Sequence, residues 1–150
     1  MIKELIGSGD RIAALTLPVL AVGVAANVAV PATFSVGGPP DVLRIVSIVI
    51  LALGIVTWIW SVVLILTNVP RHRLITGGPY ALVRHPLYTG VALLVVPWIG
   101  FLLNTWLGVV IGLVMYVGSR LFSSAEEASL SRAFGRAWDD YRARVKLPWL

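Results

Sequence analysis

Between Gly77 and Gly90 the chain gathers glycine, proline, aromatic and cationic residues in one stretch, Gly-Gly-Pro-Tyr-Ala-Leu-Val-Arg-His-Pro-Leu-Tyr-Thr-Gly. Gly77, Gly78 and Pro79 stop any helix arriving from before. Pro86 favours the start of a new one, because the N–H that proline lacks is one that the first helical turn leaves unpaired anyway. Arg84 and His85 therefore sit just outside a helix N-terminus, where backbone N–H groups and the positive end of the helix dipole meet anionic ligands. A second chemical pair, Glu126 and Glu127, follows a long apolar run. Ionisable groups at that depth are costly unless paired or solvated, so these carboxylates and the cations of the loop suit one shared polar pocket. The spacing also suits plain solvated charges at a helix exit, with Ser124 and Glu127 as a capping box. Taken singly, His85 suits a hydrogen-bonded structural role, Arg84 a headgroup phosphate, and Tyr80 and Tyr88 an interfacial aromatic belt.

The composition says what kind of scaffold holds these residues. Of 150 residues, 58% are hydrophobic and only 13% charged, far from the averages of soluble domains. We read residues 1–150 as one domain of an integral membrane protein. With no cysteine there is no disulfide framework, thiolate metal site or cysteine nucleophile. His72 and His85 lack other ligands at metal spacing, so no metal is expected. The net charge of +5 comes from cations that flank apolar blocks rather than forming a stripe, which points to membrane orientation and to the site, not to nucleic acid.

The apolar blocks predict an all-α bundle of four transmembrane helices, over about 12–30, 42–69, 86–103 and 106–122, since about 20 helical residues cross the hydrocarbon core. The first run is longer than the roughly 7–15 residues of a secretory signal core and reads as an uncleaved helix. Pro31 to Asp41, with Gly37-Gly38-Pro39-Pro40, reads as an exposed turn, neither helix nor strand. Trp58 and Trp60 suit either an interfacial belt or a neighbouring helix. The last two spans form a tight hairpin around Asn104 and Thr105. Gly108 and Gly112, four apart, permit close helix packing within the chain or between chains, which leaves the oligomeric state open.

The segments before the first span, between the second and third, and at and after the end of the fourth hold every Lys and Arg except Arg44. By the positive-inside rule both termini and the Gly77 to Gly90 loop face the cytoplasm. After Phe122 the chain turns polar without a helix breaker. Leu130, Phe134, Trp138, Tyr141 and Val145 mark one face of an amphipathic cytoplasmic helix over about 124–146, with Arg132, Arg136, Asp139 and Arg142 largely on the other. The apolar face must cover the headgroup boundary or the cytoplasmic end of the bundle.

Gly-x-Tyr-x-x-x-Arg-His-Pro-x-Tyr-x-Gly, followed one hairpin later by Glu-Glu-x-x-Leu-x-x-x-Phe-Gly-x-x-Trp-x-x-Tyr, resembles the isoprenylcysteine carboxyl methyltransferase family and its relatives among the phospholipid N-methyltransferases. The resemblance covers His72 to Val145. It implies a membrane enzyme that transfers a methyl group from S-adenosylmethionine to a lipid or other hydrophobic acceptor, with the cofactor in a cytoplasm-facing pocket. Carried over by position, it implies cofactor contacts at His72, Leu74 and Ile75, at Tyr80, at His85, Pro86, Leu87 and Tyr88, and at Glu126. Arg84, His85 and Glu127 become the candidate catalytic residues. Where the prenylcysteine enzymes carry an arginine for the substrate carboxylate, four residues before Glu126, this chain has Phe122, with Arg120 half a turn away.

Two other functions fit parts of the pattern. Membrane sterol reductases end in a similar Arg-His-Pro-x-Tyr element that binds NADPH, but those chains are much longer, and the Glu-Glu and Phe-Gly elements look more like the methyltransferases. A non-enzymatic protein whose basic loop binds anionic lipid headgroups accounts for the spans and charge. It gives no reason for Tyr80, His85, Tyr88 and Glu126 to occur together.

Overall fold

The computed structural model describes residues 9–38 and 40–147. The polar lead from Met1 to Ser8, and Pro39, lie outside the described residues. The described chain is helical: α1 (Gly9–Ala29), α2 (Asp41–Asn68), α3 (Pro86–Leu102), α4 (Leu107–Phe134) and α5 (Arg136–Arg144). Among the described residues the only extended pairing is a single bridge between Ser35 and Thr105.

Among the described residues three helices, α1, α2 and α4, are long and apolar enough to cross a membrane. The bundle is correspondingly inside out. Val42, Ile45, Leu53, Val56 and Ile59 of α2 are exposed, while the residues it buries are Ser47, Gly54 and Ser61, seven apart. In lipid, burying leucine against leucine gains nothing over lipid tails, so contacts form where small residues let backbones approach. The buried hydroxyls are satisfied within their own helices, Ser47 donating to the Leu43 carbonyl at 2.6 Å and Ser61 to that of Thr57 at 2.8 Å.

α3 and α4 form the predicted hairpin at the centre; α1 packs on α4, and α2 on α3. Gly108 and Gly112 serve this intrachain contact. A Cβ on Gly108 would meet the Val96 carbonyl oxygen at 2.6 Å, and one on Gly112 would strike that of Ala92. On α2, a Cβ at Gly54 would meet the Leu94 carbonyl oxygen at 2.6 Å.

Three expectations change. The third segment is shorter than the other apolar helices and contains a π-helical stretch, Val91–Val95, just ahead of Pro97. Pro97 has no N–H for the Leu93 carbonyl, and the Trp98 indole N–H takes it instead at 3.0 Å. Second, Pro31 to Asp41 is not a bare turn: Pro31–Phe34 forms one helical turn, and the segment packs on the α3–α4 connection. There the Trp106 indole donates to the Thr33 carbonyl at 3.0 Å and Asn104 accepts from the Gly38 N–H at 2.8 Å. Third, the helix expected over 124–146 is divided. α4 runs unbroken past Phe122 to Phe134, and Gly135, at φ +49°, turns the chain into α5. With no helix N-terminus near Ser124, the capping box does not form.

Candidate active site

The loop between α2 and α3 is built from the breakers that the sequence displays. α2 gives way to a turn of 3-10 helix at Val69–Arg71, which ends at His72 in the left-handed region. A second such turn, Gly78–Ala81, begins at Gly78, whose φ is +59°. A Cβ at Gly78 would lie 3.0 Å from the Trp60 indole, so Trp60 of α2 packs against the loop. His85 then caps α3 with Pro86 at its first position, as expected.

At that cap Arg84 and His85 meet a carboxylate from the protein itself. The Arg84 guanidinium stands 3.0 and 3.1 Å from the two carboxylate oxygens of Glu127 on α4. His85 Nε2 lies 3.2 Å from Oε1 of the same group. The His85 side chain is 7% exposed, Arg84 13% and Glu127 17%, so this three-membered cluster is largely withdrawn from solvent. α4 is 28 residues long, about 42 Å at 1.5 Å per residue, against a hydrocarbon core of about 30 Å. Glu126 and Glu127 fall about 29–30 Å along it from Leu107, level with the end of such a layer.

α5 folds back over the loop. Trp138, Tyr141 and Val145 form a buried cluster with Leu74, Leu130 and Phe134. The Tyr141 hydroxyl donates to the Tyr80 carbonyl at 2.9 Å, and the Leu147 N–H donates to the Leu82 carbonyl at 2.9 Å. The apolar face read from the sequence thus covers the end of the bundle. Burial pushes the Tyr141 phenol up to about 12, against the pull of Arg84. Tyr80 is raised further, first by burial and then by the charge of Glu126, with Tyr141 and Tyr88 adding to it. Glu126 and Tyr88 are therefore both within electrostatic reach of Tyr80.

Of the residues singled out in the sequence, Tyr80, Arg84, His85, Tyr88, Glu126 and Glu127 converge. Pro86 is buried at the start of α3 and Leu87 half-buried. Leu74 lies under α5, Ile75 is half-buried, and His72 is exposed. In the sequence Asp139 and Arg142 fall on the polar face of the helix and carry no assigned role. In the structure they line, with Arg84 and Ala143, a cleft of about 500 Å³. Their spacing of three on α5, each one residue after a buried aromatic, Trp138 and Tyr141 respectively, was the available signal.

The isoprenylcysteine carboxyl methyltransferase family profile matches residues 42–132, from the start of α2 through the loop and hairpin to beyond Glu127. No curated protein and no solved structure matches the chain. The family match spans most of the bundle and contains every member of the Arg84, His85 and Glu127 cluster, and the chain belongs to the isoprenylcysteine carboxyl methyltransferase family of membrane methyltransferases.

Proposed function

We propose that the chain transfers a methyl group from S-adenosylmethionine to a hydrophobic or lipid-like acceptor where the bundle meets the cytoplasm. The observation that carries this reading is the meeting of two distant motifs, Arg84 and His85 on Glu127, beneath α5. The donor set fits the cofactor. S-adenosylmethionine has a cationic sulfur, a ribose diol and an amino-acid end, and the cluster of Tyr80, Tyr88 and Glu126 offers aromatic faces and a carboxylate to positive charge and to hydroxyls. When bound, the cofactor supplies a methyl group on a positively charged sulfur.

In this reading His72, Leu74 and Ile75 form the approach to the cofactor. Tyr80, Pro86, Leu87 and Tyr88 form its walls, Glu126 binds its amino group or its ribose hydroxyls, and His85 with nearby backbone N–H groups holds its polar ends. Arg84, His85 and Glu127 are the proposed catalytic residues: Arg84 orients the acceptor, and His85 with Glu127 accepts a proton where the acceptor carries one. Because charge disappears from the reacting centre, alignment and exclusion of water matter most. The seal that α5 makes over the loop serves that exclusion. α3, about 25 Å long, completes a fourth crossing in a locally thinned bilayer, with both termini, the loop and α5 on the cytoplasmic side.

The test is label transfer from S-[methyl-³H]adenosylmethionine into the organic extract of membranes carrying the chain. We expect incorporation that falls at least about 100-fold in Glu127→Gln, in line with the loss of a positioned catalytic group. Incorporation no higher than in membranes without the chain contradicts the proposal.

A further inference from the structure

We propose that the cleft between α5 and the loop seats an α-amino-acid zwitterion, with Arg142 receiving the carboxylate and Asp139 the ammonium group. The inference rests on the cofactor reading above, since S-adenosylmethionine ends in such a group, and it leaves the ribose hydroxyls to Glu126 and the other polar groups of the cofactor to His85 and the nearby backbone N–H groups.

The cleft, about 500 Å³ and lined by Arg84, Asp139, Arg142 and Ala143, falls in the range of small-molecule sites, roughly 300–1,000 Å³. Asp139 and Arg142 are three apart on α5, a spacing that brings side chains together on a helix and favours an ion pair. No such pair forms. Neither side chain has a hydrogen-bond or ion-pair partner among the described residues, and both are exposed. The wall therefore offers one charge of each sign, unpaired among the described residues and open to solvent, to the same space.

The third charged wall selects between ligand classes. Arg84 is already held by Glu127 at 3.0 Å, so it adds little unbalanced charge to the floor. A simple anion would find Arg142 but face Asp139; a simple cation would find Asp139 but face Arg142. A ligand carrying both charges a few bonds apart satisfies each, through charge-assisted hydrogen bonds that are about twice as strong as neutral ones. Ala143, beside Arg142, adds only a methyl group and leaves the space open. The adjoining Glu127 carboxylate lies within electrostatic reach of Arg142, which ties the cleft to the Arg84 and His85 cluster.

The experiment compares S-adenosylhomocysteine with 5′-methylthioadenosine, a nucleoside thioether that lacks the amino-acid end, by competition binding to the purified protein in detergent. The proteins are wild type, Arg142→Gln, Asp139→Asn and Arg142→Lys. Each charge-removing variant is expected to lose about tenfold in affinity for S-adenosylhomocysteine, with 5′-methylthioadenosine unchanged and Arg142→Lys close to wild type. If wild type binds both ligands and the variants keep its affinity ratio, the cleft assignment alone fails. Equal weakening of both ligands marks a structural role and also overturns it. If wild type binds neither ligand, the cofactor reading fails and takes this inference with it.

Discussion

Glu127 holds both Arg84 and His85, so its replacement is expected to cost stability. Glu127→Gln leaves a guanidinium facing a neutral amide in a largely enclosed site, a loss of about 1–3 kcal/mol of stability, measurable as a lower thermal midpoint. Glu126→Gln is expected to remove cofactor affinity while leaving the protein folded; a folded variant with unchanged affinity would contradict that role. The Tyr141 hydroxyl gives a second check. Its pKa is raised from 10.0 to about 12 in the fold, so the protonated form is the one the fold favours. This contribution is complete below pH 10 and is lost as pH rises from about 10 to 12. The thermal midpoint of Tyr141→Phe should therefore fall less than that of wild type across that interval; parallel curves would contradict it. The residue types of this site were legible in the sequence, including the helix start at Pro86 and the need of buried carboxylates for cations. Which glutamate meets the cations was not. Adjacent helical residues point about 100° apart, so the choice is set by the rotation of α4, and that is fixed by the contact of Gly108 and Gly112 with α3.

The elements carry their own test in α3. The Leu93 carbonyl, released by Pro97, depends on the Trp98 indole. Trp98→Phe should cost about 1–3 kcal/mol by removing the indole donor from that carbonyl. In a Pro97→Ala background the new backbone N–H can take the carbonyl, and the same substitution should cost at least about 1 kcal/mol less. Equal costs in the two backgrounds would show that the indole is merely packing. The π-helical stretch was not readable in advance, because a proline inside an apolar run is compatible with a kink, a break or a shifted hydrogen-bond ladder. The division at Gly135 was hidden for a different reason. Leu130, Phe134, Trp138, Tyr141 and Val145 keep helical spacing across the glycine, so periodicity carried the helix through a residue whose positive φ ends it. What that pattern did convey was the existence of an apolar face, and the structure supplies its cover in Leu74 and the loop.

For the whole molecule, the hydropathy pattern made the membrane scaffold legible, and the outward apolar face of α2 is its structural counterpart. The number of crossings was less so, since α3 falls short of the length that settles the matter by composition. The proposed orientation can be tested because the chain has no cysteine. Single cysteines at Thr76 and Lys146 should be labelled by a membrane-impermeant maleimide only after the cytoplasmic face is opened to it, and one at Ala32 from the other side. Labelling of Thr76→Cys and Ala32→Cys from the same face would contradict the arrangement. If the end of the bundle under α5 is a site for S-adenosylmethionine, calorimetry on the purified protein in detergent will show saturable micromolar binding of S-adenosylmethionine and S-adenosylhomocysteine, lost in Glu126→Gln, and no heat from NADPH. Binding of NADPH alone, or silence from all three ligands in folded protein, would rule that site out.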